Sequence, residues 1–476
     1  MRRQTLGLGL LSIISLACAF RGQGGWHRTL SMASAARGVK RRRPSAANTG
    51  NEIMHAKRVD SGKKLDPATE VKQVVYEVGS DGLTRVKPYV FEFNAHVKKR
   101  WEGRGICDVF ASEFLGLQRP YFVRAIKCGR ITVNDQLVDV DFALGMQDVL
   151  KHKAHRHEPP VRACAEDIDI IADTPDFLVI DKPSTVPMHP CGPYRYNSIL
   201  YMLAQRFPKY SLYITHRLDR LVSGVVLFAK TTEKAKEIAA EIQSQGAKKT
   251  YVSRVKGNFG DGFPAGCEWL GEADALPPLH WQRQDELRDA VRVSSPITIV
   301  NNATGLRVCN AEGKPSETVF VKGQYDAASD TTVVFCKPIT GRTHQLRLHL
   351  SWLGHPIAND EMYGGEVYYR DRARQTEAKE AAAWVESALL HAEEAMADLD
   401  SAGQTQGEAE SEEEFISRTC PHCYMESRDE FPEKLAASVG EGIWLHALRY
   451  EMECGSFESK IPQWARLEDN HQETTS

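Results

Sequence analysis

The chain has 476 residues, room for two or three domains at roughly 100–200 residues each, and its 42% hydrophobic content supplies a sizeable core and excludes a protein disordered throughout. The formal charge of −3 conceals an uneven distribution: residues 1–51 carry nine Lys or Arg and no acid, whereas acids gather between Glu366 and Glu430. A near-neutral total can therefore cover a basic working face. The 11 cysteines are odd in number and scattered through apolar or basic runs, as at Cys128 and Cys336. That pattern suits reduced thiols and excludes a disulfide framework.

At the N-terminus, Arg2 and Arg3 precede the apolar run Leu6 to Phe20, which ends in the small residues Ala17, Cys18 and Ala19. The run is shorter than the ~20 residues of a membrane span and has the layout of a signal peptide. Arg21 to Asn51 is basic, rich in Ser and Ala, and free of acid, as transit peptides are. Together these resemble the two-part leader of plastid proteins. Residues 1–51 are expected to be a cleaved leader, with a mitochondrial presequence as the alternative. A start at Met32 would leave Lys40-Arg41-Arg42-Arg43 as a basic patch of a cytoplasmic or nuclear protein. A linker over 52–85 follows.

Residues 86–160 read as one small unit. Phe110, Phe114 and Leu115, then Phe122, Val123 and Ile126, recur at helical spacing and predict two short helices broken near Pro120. Gly129 turns into a strand over Arg130 to Asn134, with further strands expected at Gln136–Val140 and Asp148–Lys151. Lys98, Lys99, Arg100, Arg119, Arg124, Lys127 and Arg130 stud this unit.

Residues 161–365 alternate strand, loop and helix. Phe177–Ile180 and Val225–Phe228 are buried strands, and four prolines between Pro183 and Pro193 mark an ordered loop. Glu233–Gln243 has helical periodicity. Thr250–Val255 and Thr331–Cys336 predict strands, and Thr343–Leu353 a helix. Mixed strands and helices indicate an α+β (mixed α/β) domain. The stretch 366–418 looks like an insertion, Ala/Glu-rich and helical at first, then acidic and disordered over Ser401–Glu414. Being compositionally foreign, it is expected to be removable without loss of the fold. Core-like sequence resumes over 419–465, and 466–476 reads as a disordered tail.

Chemistry concentrates at His216-Arg217-Leu218-Asp219, just ahead of Ser223-Gly224 and a buried strand, where a loop on a rigid scaffold can present a carboxylate. Lys249-Thr250-Tyr251-Val252 follows, then Thr340-Gly341-Arg342-Thr343-His344-Gln345-Leu346-Arg347. In this order the three segments resemble the motifs of the RluA-type pseudouridine synthase family. The resemblance is closer to the eukaryotic tRNA position-32-type branch, through Phe91-Glu92-Phe93, Lys99-Arg100-Trp101, His155-Arg156-His157-Glu158-Pro159-Pro160 and His189-Pro190-Cys191-Gly192.

The resemblance implies a pseudouridine synthase fold with a mixed, largely antiparallel central sheet and flanking helices, preceded by a small alpha-L RNA-binding module. It implies an isomerase acting on a uridine in RNA, most readily a tRNA anticodon stem-loop, as a monomer without cofactor. Asp219, Tyr251 and Arg342 would be catalytic, with Arg342 beside Asp219. Arg217 would enter the space left by the flipped base, and His216, Lys98, Lys127, Arg130, His344 and Arg347 would meet RNA. The alternative is a non-catalytic RNA-binding protein that keeps the fold, although a pure binder has no need of the Asp219, Tyr251 and Arg342 set. Cys420-x-x-Cys423 could ligate zinc with Cys454 or His446, but one such pair is half a site, and no metal is expected. His391-Ala392-Glu393 with Cys420-Pro421-His422-Cys423 superficially matches a zinc deaminase, but Thr419 stands where that signature has proline.

Overall fold

The computed structural model describes residues 67–466, apart from 115–116, 118, 265–266, 272–289, 302–304, 366–371, 400–410, 427 and 429. The expected leader, much of the expected linker and the tail from 467 lie outside the described residues, as does most of the acidic stretch. No helix among the described residues is long and apolar enough to cross a membrane.

The chain opens with α1 (Pro67–Glu70) and a hairpin of β1 (Tyr76–Val78) and β2 (Thr84–Val86). These residues were expected to be linker, but they are built into the body. Glu70 pairs with Arg195 and accepts from the Tyr201 hydroxyl at 2.6 Å, and Tyr76 donates to the Tyr196 carbonyl at 2.8 Å. The first small unit contains β3 (Tyr89–His96), α2 (Ile106–Glu113), α3 (Arg119–Lys127), β4 (Ile131–Val133) and β5 (Val149–Arg156). Its sheet order is β3-β5-β4, and its core centres on Trp101, Ile106, Phe110, Phe122 and Ile131. Pro120 sits in the first turn of α3, where its missing N–H costs nothing. The expected strand over Gln136–Val140 is absent: Asn134 and Asp135 both take positive φ, and Gln136 makes only an isolated bridge to Val133.

The larger unit contains β6 (Asp169–Asp173), β7 (Phe177–Lys182), α4 (Ile199–Arg206), β8 (Tyr213–Ile214), β9 (Ser223–Ala229), α5 (Thr232–Gln243) and β10 (Lys248–Lys256). It continues with β11 (Glu268–Gly271), β12 (Ala290–Ser294), β13 (Ile297–Asn301), β14 (Leu306–Cys309), β15 (Glu317–Asp326), β16 (Thr331–Pro338) and α6 (Gln345–Trp352). After α7 (Arg372–Leu399), α8 (Glu412–Arg418), α9 (Pro421–Glu426) and α10 (Glu430–Ala437), it closes with β17 (Leu445–Met452) and β18 (Gly455–Glu458).

The main sheet runs β11-β12-β15-β16-β10-β17-β9-β7-β6, with β18 beside β17 and β8 beside β9. Its described pairs are antiparallel except β9 with β17. The protein is thus α+β with a mixed, largely antiparallel sheet, as the sequence implies. Its central strands are continuous apolar runs because both faces are covered: Val225–Phe228 and Val333–Cys336 are all buried. Gly224 is a requirement of the parallel pair. Its φ is +114°, and a Cβ there would meet the Ala447 backbone at 2.3 Å.

The insertion is not a detachable appendage. α7 buries Ala381, Val385, Ala388 and Ala392, some of them in a cluster with Met425 and Phe431. Glu393 accepts from both Nε and Nη2 of Arg124 on α3 at 3.1 and 2.6 Å, with both side chains buried. The same guanidinium donates to the Thr419 carbonyl at 2.5 Å. An Ala-rich composition read as foreign to the core is what allows close helix packing. Glu393→Ala would strand the Arg124 charge in a dry interface, and we expect a loss of about 3–5 kcal/mol, measured by urea unfolding. A change within 0.5 kcal/mol, the usual range for surface positions, would show that α7 does not depend on this pair.

Burial lowers two enclosed imidazoles, His152 on β5 and His446 on β17, to about 3. Each binds its proton in the unfolded chain below about 6.5 but not in the folded one. The unfolded state therefore holds more protons between about 3 and 6.5, and stability falls as pH falls through that window. The pair contributes up to about 2.7 kcal/mol per pH unit there. Unfolding free energies should fall as pH falls from 6 to 4, and His152→Gln should remove up to about 1.4 kcal/mol per pH unit of that slope.

Candidate active site

Asp219 stands on the loop between β8 and β9, and two buried cations hold that loop. Lys182, at the end of β7, donates from Nζ to the carbonyls of Pro183 at 2.8 Å, Arg220 at 3.3 Å and Val222 at 2.8 Å. Burial pulls Lys182 down to about 7, while the Asp219 charge pushes it up. The second cation is Arg347 on α6. It grips Asp360 with two parallel bonds, Nε to Oδ2 at 2.6 Å and Nη2 to Oδ1 at 2.8 Å, and extends Nη1 to Asp219 Oδ2 at 3.3 Å. Arg347 is 5% exposed and Asp360 1%, whereas Asp219 is 23% exposed. The Asp219 carboxylate is thus held by its base and open at its tip.

The entry to α6 explains why Arg347 arrives there. Gln345 accepts from the Thr340 hydroxyl at 2.7 Å and the Arg342 N–H at 3.0 Å, and donates to the Glu317 carbonyl at 2.8 Å and the Thr318 hydroxyl at 2.9 Å. Its amide locks the Thr340–Gln345 turn against β15. His344, at the helix N-cap, is left-handed with φ 59°, a strained conformation for a non-glycine residue. That twist places its Nε2 3.5 Å from Asp219 Oδ2 and its Nδ1 2.7 Å from the Tyr363 hydroxyl. Burial lowers His344 to about 4, opposed by the Asp219 charge, so its ring is neutral at pH 7.

Tyr251 lies on β10, where a register shift between Thr250 and Tyr251 interrupts pairing with β17. It is buried, and its hydroxyl is 2.7 Å from that of Tyr450 on β17. Burial pushes Tyr251 up to about 12, and the charge of Asp219 adds to the shift. Tyr450 in turn stacks on the His216 ring, with centroids 4.9 Å apart. The site is therefore a carboxylate with a buried guanidinium at its base and a neutral imidazole and neutral phenol beside it.

A family model described as RNA pseudouridylate synthase matches residues 176–352, which contain this arrangement except Asp360, Tyr363 and β17. The RNA pseudouridine synthase 7 of Oryza sativa is 36% identical over 398 residues, covering 82% of this chain and 92% of that protein. The mouse pseudouridylate synthase RPUSD2 is 33% identical, covering 81% and 72%. The mitochondrial tRNA pseudouridine(32) synthase of Saccharomyces cerevisiae is 35% identical over 309 residues, covering 64% and 58%.

The chain belongs to the RluA-type RNA pseudouridine synthase family.

Membership makes the protein an isomerase of uridine in RNA, and it fixes which residues merit comparison with the sequence expectations. Asp219 and Tyr251 share the site, but Arg342 does not stand beside Asp219. Its guanidinium is exposed and its Nε donates to the Pro315 carbonyl at 3.0 Å. The residue that occupies the expected place is Arg347, five positions on, because the first turn of α6 directs position 347 inward and leaves 342 outside. His216 is partly buried: its Nε2 accepts the Leu227 N–H at 3.2 Å, its ring packs on Tyr450, and burial lowers it to about 3. Arg130 is also buried, its Nη1 3.1 Å from the Tyr121 hydroxyl and its guanidinium over that ring. Lys127 and Arg217 are exposed, and Lys98 lies half-buried over Trp101. Of the other cations on the small unit, Arg100 pairs with Glu113, Arg119 with Asp108 and Arg124 with Glu393. The basic face is narrower than the sequence suggests.

Lys182 was missed. The available signal was a lysine directly after the fully apolar run Phe177–Ile180 and one acid, since a cation entering a buried strand needs acceptors waiting for it. His446, considered as a metal ligand, is already engaged by Ser223 at 2.8 Å and by Ser459. Glu393, part of the deaminase-like pattern, serves Arg124.

Arg347→Met would leave Asp360 buried without its partner and Asp219 without its nearest cation. We expect a stability loss of about 3–5 kcal/mol by urea unfolding. Arg342→Ala, at an exposed position, should stay within about 0.5 kcal/mol of the parent. Equal effects of the two changes would overturn this assignment of the pair.

Proposed function

We propose that the protein isomerises a uridine in the anticodon stem-loop of a tRNA, with Asp219 acting on the ribose as nucleophile or base. The observation that carries this reading is the half-open Asp219 carboxylate with Arg347 behind it. When the glycosidic bond of uridine breaks, positive charge develops on the sugar, and a fixed anion beside it lowers the barrier, as paired carboxylates do in glycoside hydrolysis. Arg347 stands 3.3 Å from Asp219 Oδ2 as its charge partner. It also fixes the carboxylate's direction, because its other two donors are committed to Asp360.

Tyr251 serves as the platform for the detached uracil. With its hydroxyl tied to Tyr450 and its proton retained, it acts by stacking and not as a base at neutral pH. Holding the base against a ring in a water-poor site lets it turn and rejoin through carbon without hydrolysis of the sugar intermediate. All atoms of the base are retained, so the reaction as proposed uses no redox or nucleotide cofactor.

A uridine inside a stacked loop must be extruded before Asp219 can reach its sugar. Arg217, exposed two residues before Asp219, takes the vacated position in this reading. Lys127 and Lys98 meet the phosphates of the same RNA. The tRNA substrate is supported by two yeast relatives, one named tRNA pseudouridine(32) synthase and the other tRNA pseudouridine(31) synthase. The protein acts as a monomer in an organelle, a plastid ahead of a mitochondrion. The acid-free, nine-cation stretch 1–51 supports import, and the first yeast relative is named as mitochondrial.

Asp219→Asn should reduce tritium release from uridine-labelled tRNA below about one-thousandth of the parent rate. The melting temperature and tRNA affinity should hold, since Asn keeps the shape and an acceptor for Arg347. Near-parental activity would remove Asp219 from the chemistry. A parent enzyme active on ribosomal RNA alone would leave that role standing and overturn the tRNA assignment.

A further inference from the structure

Two sequence motifs take no part in the isomerase site, yet the fold brings them together. His155 and His157 lie at the end of β5 and just beyond it, where the small N-terminal unit hands over to the catalytic sheet. Cys420 and Cys423 flank the start of α9, more than 260 residues later, in the helical excursion between Gly365 and Ile443 that the insertion opens. Their four ligand atoms all lie within 4.8 Å of one another. Cys423 Sγ is 3.1 Å from His155 Nδ1 and 3.4 Å from His157 Nε2. Cys420 Sγ is 3.5 Å from His157 Nε2, and the two imidazole nitrogens are 3.1 Å apart.

Four ligands placed around one tetrahedral zinc, at about 2.0–2.1 Å for nitrogen and 2.3 Å for sulfur, stand about 3.3–3.8 Å from each other. These four spacings fall within or just below that range, and the remaining pairs lie within 4.8 Å, close enough to converge on one ion. The donor set is two soft sulfurs and two imidazoles, which suits zinc and not a hard, oxygen-seeking cation. We infer that His155, His157, Cys420 and Cys423 form a structural zinc site that fastens the insertion to the N-terminal unit.

The surroundings fit a ligand set more closely than a chance meeting of side chains. His157 offers Nε2 to the centre while its Nδ1 is 2.9 Å from Glu426 Oε1, the carboxylate–histidine arrangement that fixes the tautomer and raises ligand basicity. The His422 ring stacks on His157 with centroids 4.7 Å apart and holds its plane. Cys420 is 3% exposed and the His157 side chain 5%. All four positions are protein side chains, so no place is left for water or substrate, and the site is structural, not catalytic. On binding, the two thiols lose their protons to solvent. The resulting pair of thiolates neutralises the dication, which makes burial of the group affordable. The second half of the site is therefore supplied by β5 and its exit, not by Cys454 or His446.

The full chain, expressed with zinc and dialysed against metal-free buffer, should retain about one zinc per chain by plasma mass spectrometry. Cobalt exchanged into it should show the absorption bands of tetrahedral thiolate ligation. Cys423→Ser and His157→Ala should each lose most of the metal, and Glu426→Gln should weaken zinc affinity about 10–100-fold while keeping the four ligands. Should the ligand variants fail to fold, titrating the parent's thiols with an organomercurial should release zinc in step with thiol loss. Less than one-tenth of a zinc per chain, no cobalt bands, or a Cys420–Cys423 disulfide in protein purified under reductant would each overturn the site. None of these readouts depends on isomerase activity.

Discussion

One guanidinium organises the catalytic end of this molecule. Arg347 is buried and divides its donors between Asp360, held bidentately, and Asp219, held by a single longer bond. A buried charge without a partner is strongly destabilising, so neither Arg347 nor Asp360 can be placed correctly alone. The consequence runs outward through the fold. α6 must begin where it does, the Gln345 amide must lock the preceding turn to β15, and His344 must accept a left-handed backbone. Asp219 benefits from a cation whose direction is set by a different carboxylate. That independence lets the Asp219 carboxylate remain partly open while its counter-ion is held by Asp360.

The sheet adds a second constraint. β17, nearly the last strand of the chain, lies in the middle of it, between β10 and β9, and carries Tyr450 to the hydroxyl of Tyr251. The chain leaves the sheet region after Gly365 and returns where the Trp444 N–H bonds to the Ala358 carbonyl and the Ile443 N–H to the Leu221 carbonyl. Its departure and return points are thus neighbours, and a long excursion between neighbouring points adds little closure entropy beyond that of a short one. The insertion is tolerated for that reason. It is also used, since α7 covers Arg124 on the N-terminal unit. An element that could have been an unstructured loop instead packs against α3 and its flanking segments.

Much of this was legible from the sequence because the relevant physics is local. The alternating run Thr250–Val255 gives β10, the continuous apolar run Val333–Cys336 gives β16, and the periodic stretch Glu233–Gln243 gives α5, whose N-cap Thr231 accepts from the Lys234 N–H. Asp219 and Tyr251 were found as motif residues. What failed was every judgement that depended on which side of an element faces inward. Arg342 and Arg347 differ by five positions at a turn-to-helix junction, and only the observed φ of His344 decides which of them meets Asp219. Arg130 and Arg124 look like surface cations in sequence, but each is enclosed by residues distant in the chain or by an aromatic neighbour. The four-residue His/Cys cluster is unreadable for the same reason: its halves are separated by most of the protein. The missed strands β12 to β15 lack that excuse. Thr318 to Val321 and Val291 to Val293 carry ordinary strand residues, and the adjoining polar stretches masked them.

The electrostatics beneath the Asp219 loop also explain why the site behaves as a unit. Lys182 and Arg347 approach from two sides, and Asp219 and Asp360 balance them, giving two cations and two carboxylates in a poorly solvated region. The balance is not symmetric. Arg347 keeps its charge at any accessible pH, whereas burial brings Lys182 to about 7, where the loss of one proton is a small step. Two of its three acceptors, the Arg220 and Val222 carbonyls, belong to the loop that presents Asp219, so the charge on Lys182 and the geometry of that loop are linked. A negative Asp219 favours the charged, three-donor form of Lys182, and that form draws in the Arg220 and Val222 carbonyls and tightens the loop around Asp219. The charge state of Lys182 and the hold on the Arg220 and Val222 carbonyls of the Asp219 loop are therefore coupled to the charge on Asp219.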